Sequence, residues 1–197
     1  RGALSILHPV SKRNKINLFQ PLTILDVVIV YNSKFNFHKV IEVTPRYIPY
    51  NCFMHPFKSH VSLVMQEIMT MILKSASCEI DLFLFLEKTI KELNDLNNVT
   101  NKFVLRFLID MMRHLGIYPH VETYKDGYRF NMNEGVFCNQ IIGDNIIDER
   151  TSRLLHIEFS EGNVEDILDI NILIKTIINF YKIHLIGVKE INSLKLL

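Results

Sequence analysis

Tryptophan is absent from this 197-residue chain, and cysteine, glycine and proline number only three, seven and six. The cysteines, Cys52, Cys78 and Cys138, stand far apart and form no CxxC pair, which excludes a locally encoded zinc ribbon, a thioredoxin-type motif and a disulfide scaffold. An odd number of scattered thiols fits a reducing cytosol, so a cytoplasmic location is expected. The few glycines form neither a Walker A loop nor a dinucleotide fingerprint, and no G-x-S-x-G elbow or HExxH pair occurs. No apolar run is long enough to span a bilayer, and no charged-then-apolar signal segment opens the chain. The first residue is Arg1 rather than Met, and Arg1-Gly2-Ala3-Leu4-Ser5-Ile6 reads as the middle of something, so missing upstream sequence is expected.

What is present is an ordinary globular composition: 48% hydrophobic, 22% charged and 10% aromatic. That argues against disorder and for one large domain or two small ones, burying about 70% of the unfolded surface. The net charge of +1 hides an asymmetry. Residues 1–46 carry seven cations (Arg1, Lys12, Arg13, Lys15, Lys34, Lys39, Arg46) against Asp26 and Glu42, whereas the remainder carries fifteen basic and nineteen acidic residues. A basic N-terminal segment on a mildly acidic body suggests two units with different partners; chance clustering on a solvated face is the bland alternative.

The basic segment is strand-like. Leu22, Ile24, Val27, Val28, Ile29 and Val30 are mostly β-branched, Tyr31-Asn32-Ser33-Lys34 makes a polar turn, and Phe35, Phe37, Val40, Ile41 and Val43 follow. The expectation is a hairpin of roughly Leu18–Tyr31 with Phe35–Thr44, Pro21 at a strand edge or bulge, and Pro9–Asn17 as an exposed loop. Past Pro45, Pro49 and Pro56 the period changes. Val61, Val64, Met65, Ile68 and Ile72 mark one helix face; Leu82–Leu86 with Ile90 and Leu93 is apolar nearly all round, predicting a central, buried helix. A third helix is predicted after Thr100 or Asn101, either of which can cap it, with Phe103, Phe107, Leu108, Met111 and Leu115 inward and Lys102, Arg106, Asp110 and Arg113 outward, stopping at Gly116. A hairpin around Asn133-Glu134-Gly135 and helices at about Asp148–Glu158 and Val164–Leu185 complete the pattern. No internal repeat is found.

Nothing in this pattern reads as a catalytic centre, so the chain is expected not to be an enzyme and to need no cofactor. Glu79 with Asp81, and Glu165, Asp166 and Asp169, can be called paired carboxylates, but they flank helix starts and read as caps offsetting the helix dipole. His55 and His60, or His114 and His120, lack the spacing of a metal pair on one helix face. The cluster Lys12-Arg13-Asn14-Lys15 can neutralise phosphates without reading sequence, with Lys34, Lys39 and Arg46 next in line. Phe19, Tyr31, Phe35 and Phe37 can stack on unpaired bases if they face outward, or fill a small barrel if they do not.

Three blocks carry a family resemblance: Leu18-Phe19-Gln20-Pro21-Leu22-Thr23-Ile24-Leu25 after the basic loop; Arg106-Phe107-Leu108 with Met112-Arg113-His114-Leu115-Gly116-Ile117-Tyr118-Pro119; and Asn179-Phe180-Tyr181-Lys182-Ile183-His184-Leu185. In this order they resemble the RecO family of recombination and repair mediators, in its Bacteroidetes type, over essentially the whole chain. The resemblance implies an α+β fold in which an N-terminal OB-fold β-barrel, here truncated at its first strands and spanning 1–46, precedes a mainly helical domain at 47–197 with a β-hairpin insertion. It implies binding and annealing of single- and double-stranded DNA, recruitment of RecR, contact with the acidic, apolar tail of single-stranded DNA-binding protein, and help in loading RecA. Many relatives hold zinc with four cysteines in the hairpin after the third helix; Tyr118–Gln140 contains only Cys138, so zinc is not carried over. For the tail, the expected groove is rimmed by Lys102, Arg106 and Arg113, with one ring of Phe103 and Phe107 lining it and the other packing inward; a solvated face with Arg113 paired to Asp110 is the competing reading. The competing function is a non-catalytic adaptor whose helical domain recruits partners and whose β unit does not bind DNA.

Overall fold

The computed structural model describes residues 6–7, 16–30, 38–73, 80–139, 143–185 and 191–193. The fold is α+β, and the chain divides into two compact units, Arg1–Asn98 with Ile191–Leu196, and Val99–Glu190 with Leu197.

In the first unit β1 (Ile6–Leu7), β2 (Ile24–Val30) and β3 (His38–Tyr47) form a sheet of order β1-β3-β2, with β1 parallel and β2 antiparallel to β3. The expected hairpin is therefore present, but among the described residues the sheet stays open and no barrel closes. Pro21 lies before the strand rather than at its edge or in a bulge. It sits at the second position of a turn closed by Thr23 N–H donating to the Gln20 carbonyl at 3.2 Å, which delays β2 to Ile24. The third turn position, Leu22, has φ 61°, where a side chain costs about 1–2 kcal/mol. Its side chain is buried, and burial of a leucine returns about 1.5–3 kcal/mol, enough to hold the strained turn.

Three helices follow: α1 (Tyr50–Met54), α2 (Pro56–Ile72) and α3 (Ile80–Asp95). Pro56 opens α2, where its missing N–H is no loss, and the predicted face of Val61, Val64, Met65, Ile68 and Ile72 is buried throughout. The prediction for α3 is corrected. Leu82, Leu86, Ile90 and Leu93 turn inward, whereas Phe83 and Leu84 are 45% and 53% exposed, because successive helix residues are rotated by about 100°, so a five-residue apolar run reaches every side of the helix while packing uses one. Lys58, buried on α2, donates its ammonium to the Asn94 carbonyl at 2.7 Å, placing a cation at the negative end of α3. Glu67 of α2 accepts from the backbone N–H groups of Asn192 and Ser193, both at 2.9 Å, and so ties the segment after buried Ile191 into this unit. Burial raises the Glu67 pKa, but the Ser193 hydroxyl and these two amides outweigh it and hold the carboxyl below its usual range.

The second unit contains α4 (Asn101–His114), a hairpin of β4 (Arg129–Asn131) and β5 (Val136–Cys138), α5 (Glu149–Glu161) and α6 (Ile167–His184). Thr100 occupies the N-cap position of α4 without a side-chain cap bond, while Asn101 reaches Asn171 of α6 at 2.7 Å. Further along, the Tyr181 hydroxyl donates to the Leu108 carbonyl at 2.7 Å, so α4 and α6 run in the same direction. Burial, and then the Asp110 charge, push the Tyr181 phenol well above its ordinary value, keeping it a neutral donor. Gly116 ends α4 at φ 68°, with Ile117 N–H donating to the Met112 carbonyl and Gly116 N–H to that of Arg113, a Schellman stop.

Asp166 caps α6 through the N–H groups of Leu168 and Asp169, and Asp148 caps α5 through that of Thr151 at 3.0 Å. Burial raises the Asp148 pKa, but hydrogen bonds from the Thr151 backbone and hydroxyl more than offset this and leave it depressed. Asp148→Ala is expected to cost about 1 kcal/mol at neutral pH. A depressed folded-state pKa contributes stability above the unfolded value of about 3.9 and loses it as pH falls through the folded value, so parent and variant converge in acid. Urea titrations of both at pH 7 and at about pH 3 check this; a gap that persists in acid contradicts it.

Candidate nucleic-acid interface

The basic loop residues Lys12, Arg13 and Lys15, and Lys34 of the turn, lie outside the described residues. Lys39 and Arg46 lie on β3. Along that strand Val28 pairs with Glu42 and Ile29 with Val40, skipping Ile41, while Ile24 pairs with Tyr47 and Leu25 with Pro45, skipping Arg46. Each skipped residue is the extra one of a bulge, which re-aims its side chain and lets a proline lie within the strand. Arg46 is thereby directed to Glu87 of α3 at 3.7 Å, and Lys91 reaches the same carboxylate at 2.7 Å. The Lys91 hydrogen bond first, opposed by desolvation and aided by Arg46, holds Glu87 below the usual carboxylate range. The Lys91 ammonium also stands 5.6 Å from the Tyr47 ring centre. Lys39 is exposed opposite Val30, roughly 20 Å along the strand from Arg46, so the two cations belong to different neighbourhoods.

The helical stripe is assembled differently from its prediction. The Lys102 ammonium donates to Glu158 Oε2 at 2.6 Å and to the carbonyls of Gly162 and Val164 at 2.9 and 2.7 Å. Its three donors are thus engaged at the C-terminal end of α5. Phe103 and Phe107 are both buried, so neither ring lines a groove, in contrast to the expectation that one would. The reason is the depth of α4: Val104, Leu105, Leu108 and Met111 are fully buried, leaving only a narrow outer edge. On that edge Arg106 is exposed, its guanidinium 5.7 Å from the Phe103 ring centre. Arg113 pairs with Asp110, donates to the Tyr118 hydroxyl at 2.9 Å and lies 4.5 Å over that ring.

The hairpin is held by aromatic contacts and side-chain hydrogen bonds to residues distant in sequence. Phe130 packs against Phe137 and Phe180 at 5.0 and 5.6 Å between ring centres, and Tyr124 stacks on His156 at 3.9 Å. Phe137 N–H donates to the Thr123 hydroxyl and Phe130 N–H to that of Ser152, both at 2.8 Å. His184 Nε2 lies 2.7 Å from the Met132 carbonyl; that oxygen can only accept, so Nε2 carries the proton. Cys138 is a free thiol on β5, and among the described residues no three His, Cys, Asp or Glu side chains converge as a metal site. Nor, among those residues, is any helix long and apolar enough to cross a membrane.

No family model matches the chain. Curated proteins do. The DNA repair protein RecO of Flavobacterium johnsoniae is 29% identical over 189 residues, spanning 93% of this chain and 78% of the relative. That of Flavobacterium psychrophilum is 28% identical over 188 residues with the same shares, and that of Phocaeicola vulgatus 25% over 210 residues, covering all of this chain and 86% of the relative. Six relatives that match along nearly its whole length are each named DNA repair protein RecO, and it is these proteins that the chain is similar to.

Proposed function

We propose that the chain is a non-catalytic DNA repair and recombination mediator that captures DNA electrostatically through its basic N-terminal region. The observation that carries this reading is the match to six RecO proteins along nearly the whole chain. The excess of cations in residues 1–46 supports it from the chemistry side, since phosphate neutralisation supplies most sequence-independent affinity. In this reading residues 1–46 are the DNA-contacting part of an OB-type barrel, of which the β1-β3-β2 sheet supplies one wall. Lys12, Arg13, Lys15, Lys34 and Lys39 meet phosphates of single- and double-stranded DNA. Arg46, already paired with Glu87, contributes less. Residues 47–197 recruit RecR and the acidic tail of single-stranded DNA-binding protein, with Arg106 and Arg113 on the outer edge of α4 as the tail's cationic contacts, and the assembly helps load RecA in the cytoplasm.

The adaptor reading draws its support from the same pairing of Arg46, which takes one cation out of the DNA-binding set. Fluorescence anisotropy of a labelled single strand across a salt series separates the two. A mediator loses affinity steeply as salt rises, whereas an adaptor gives weak, flat binding. Replacing Lys12, Arg13 and Lys15 together by Ala is expected to flatten the log–log slope by about 2 on a single strand and by nearly 3 on duplex DNA. An unchanged slope and affinity would remove the loop from the interface.

A further inference from the structure

Glu67 of α2 is committed to a segment 125 residues further along the chain. Its carboxylate oxygens accept from the backbone N–H groups of Asn192 and Ser193, both at 2.9 Å, and Oε2 accepts again from the Ser193 hydroxyl at 2.5 Å. A tight turn at Asn192 and Ser193 aims two successive N–H groups the same way, which an extended strand does not do. Ile191, the residue before them, is 7% exposed. The chain leaves the first unit after Asn98, and Ile191–Leu196 belongs to that unit again, although Val99–Glu190 between them forms the second. Five residues, 186–190, separate the Leu185 cap of α6 from Ile191. The hold thus has the elements by which proteins read a short peptide. One apolar anchor, two main-chain donors and a hydroxyl come from three consecutive residues.

We infer that Glu67 is the reader of a recognition site for a short segment of the pattern apolar-X-Ser, filled by the chain's own segment after α6 and exchangeable for the same segment of a second copy. The chemistry of the site selects this occupant. A carboxylate offers only acceptors, so it reads N–H and O–H donors and repels an acidic segment. Proline at the second or third position lacks the donor that the site needs. Lys189 and Lys195 flank the triplet against the single acid Glu190, which suits an anionic reader. A second copy carries the same three residues, and exchange of an identical element keeps every contact while changing only its source. The described hold of one side chain and three hydrogen bonds is modest, and the entropy lost in ordering the segment opposes it. It stays closed within one chain because a short tether presents the segment at millimolar effective concentration. Exchange would link copies to one another without using the basic loop, so the inference does not depend on DNA binding.

Two variants of the full chain separate the site from its occupant. Ile191→Ser with Ser193→Pro spoils the segment and leaves the site open, whereas Glu67→Ala spoils the site and leaves the segment whole. Circular dichroism confirms that both keep the helix content of the parent. A labelled synthetic peptide with the sequence of residues 189–197 is titrated against each by anisotropy. It is expected to bind the open-site variant about tenfold more tightly than the parent, whose site is filled, and to lose about tenfold when Glu67→Ala is added to that variant. A peptide with proline in place of the serine should not bind. A merely structural Glu67 would create no peptide binding in the open-site variant. Sedimentation of the two variants mixed in equal amounts is expected to show a heterodimer that neither forms alone, since one supplies the site and the other the segment. Peptide affinity equal for parent and open-site variant, or unaltered by Glu67→Ala, overturns the recognition site. A mixture that sediments as the two separate variants overturns the exchange between copies.

Discussion

Lys102→Met is expected to destabilise the second unit by about 3–4 kcal/mol, the cost of breaking a largely buried ion pair. The ammonium has three acceptors within 2.9 Å: the Glu158 carboxylate, the carbonyl of Gly162, which caps α5 where the helix dipole is negative, and that of Val164 in the link to α6. Its partner Glu158 has a side chain only 4% exposed and also accepts from Val164 N–H at 3.2 Å. With the lysine gone, that carboxylate retains the single amide and little water. Lys102 keeps 29% of its side chain in solvent, so Glu158→Gln, which leaves the cation partly hydrated and still offers an amide oxygen, should cost less, about 2 kcal/mol. The double variant should recover part of the loss, since no unpaired charge then remains. Urea denaturation followed by circular dichroism gives all three values. A loss below about 0.5 kcal/mol for Lys102→Met would mean the pair is ornamental. It would also return Lys102 to the set of cations available to a partner.

That residue marks the limit of what the sequence discloses. The inward faces of α2 and α4, the stop at Gly116, the carboxylate cap of α6 and the hairpin turn ahead of β5 were all legible, because each depends on residues within a turn or two of one another. Lys102 meets Glu158 across 56 positions and Lys58 meets Asn94 across 36, so no periodicity reports that either ammonium is committed to the fold. The outward stripe on α4 rests on helical spacing alone, with Arg106 and Arg113 two turns apart, Lys102 a turn back, and Phe103 and Phe107 beside them. Whether a ring at such a position lines a groove depends on how many neighbours surround the helix, and α4 is enclosed on nearly all sides. The error on α3 has the opposite sign: five consecutive apolar residues suggested a buried helix, yet packing uses only the positions on one side and leaves Phe83 and Leu84 in solvent. Arg46 shows the same limit for binding residues. Charge counting places it among the cations, but only the bulge in β3 reveals the carboxylate that holds it.

The hairpin between α4 and α5 should prove to be an aromatic core rather than a metal knuckle, and Phe130→Ala should cost about 3–5 kcal/mol. Phe130 is 2% exposed and lies between Phe137 on the facing strand and Phe180 on α6, so truncation opens a cavity shared by three elements. Its main chain is anchored as well: the N–H donates to the Ser152 hydroxyl and the carbonyl accepts from Ile147 N–H at 2.9 Å. Backbone relaxation to fill the cavity would break one or both bonds, which places the expected loss at the upper end of the range. Ser152→Ala keeps the ring but strands the buried Phe130 N–H, and a smaller loss of about 1–3 kcal/mol is expected. One cysteine lies in this region, and ring packing holds it together with the hydroxyls of Thr123 and Ser152, which accept from the Phe137 and Phe130 N–H groups, and His184, which donates to the Met132 carbonyl. Adding a chelator should therefore leave the unfolding midpoints of parent and variants unchanged. A midpoint that falls when metal is stripped would show that a bound ion holds the hairpin. A Phe130→Ala loss below about 1 kcal/mol would show that the three rings touch without supporting the unit.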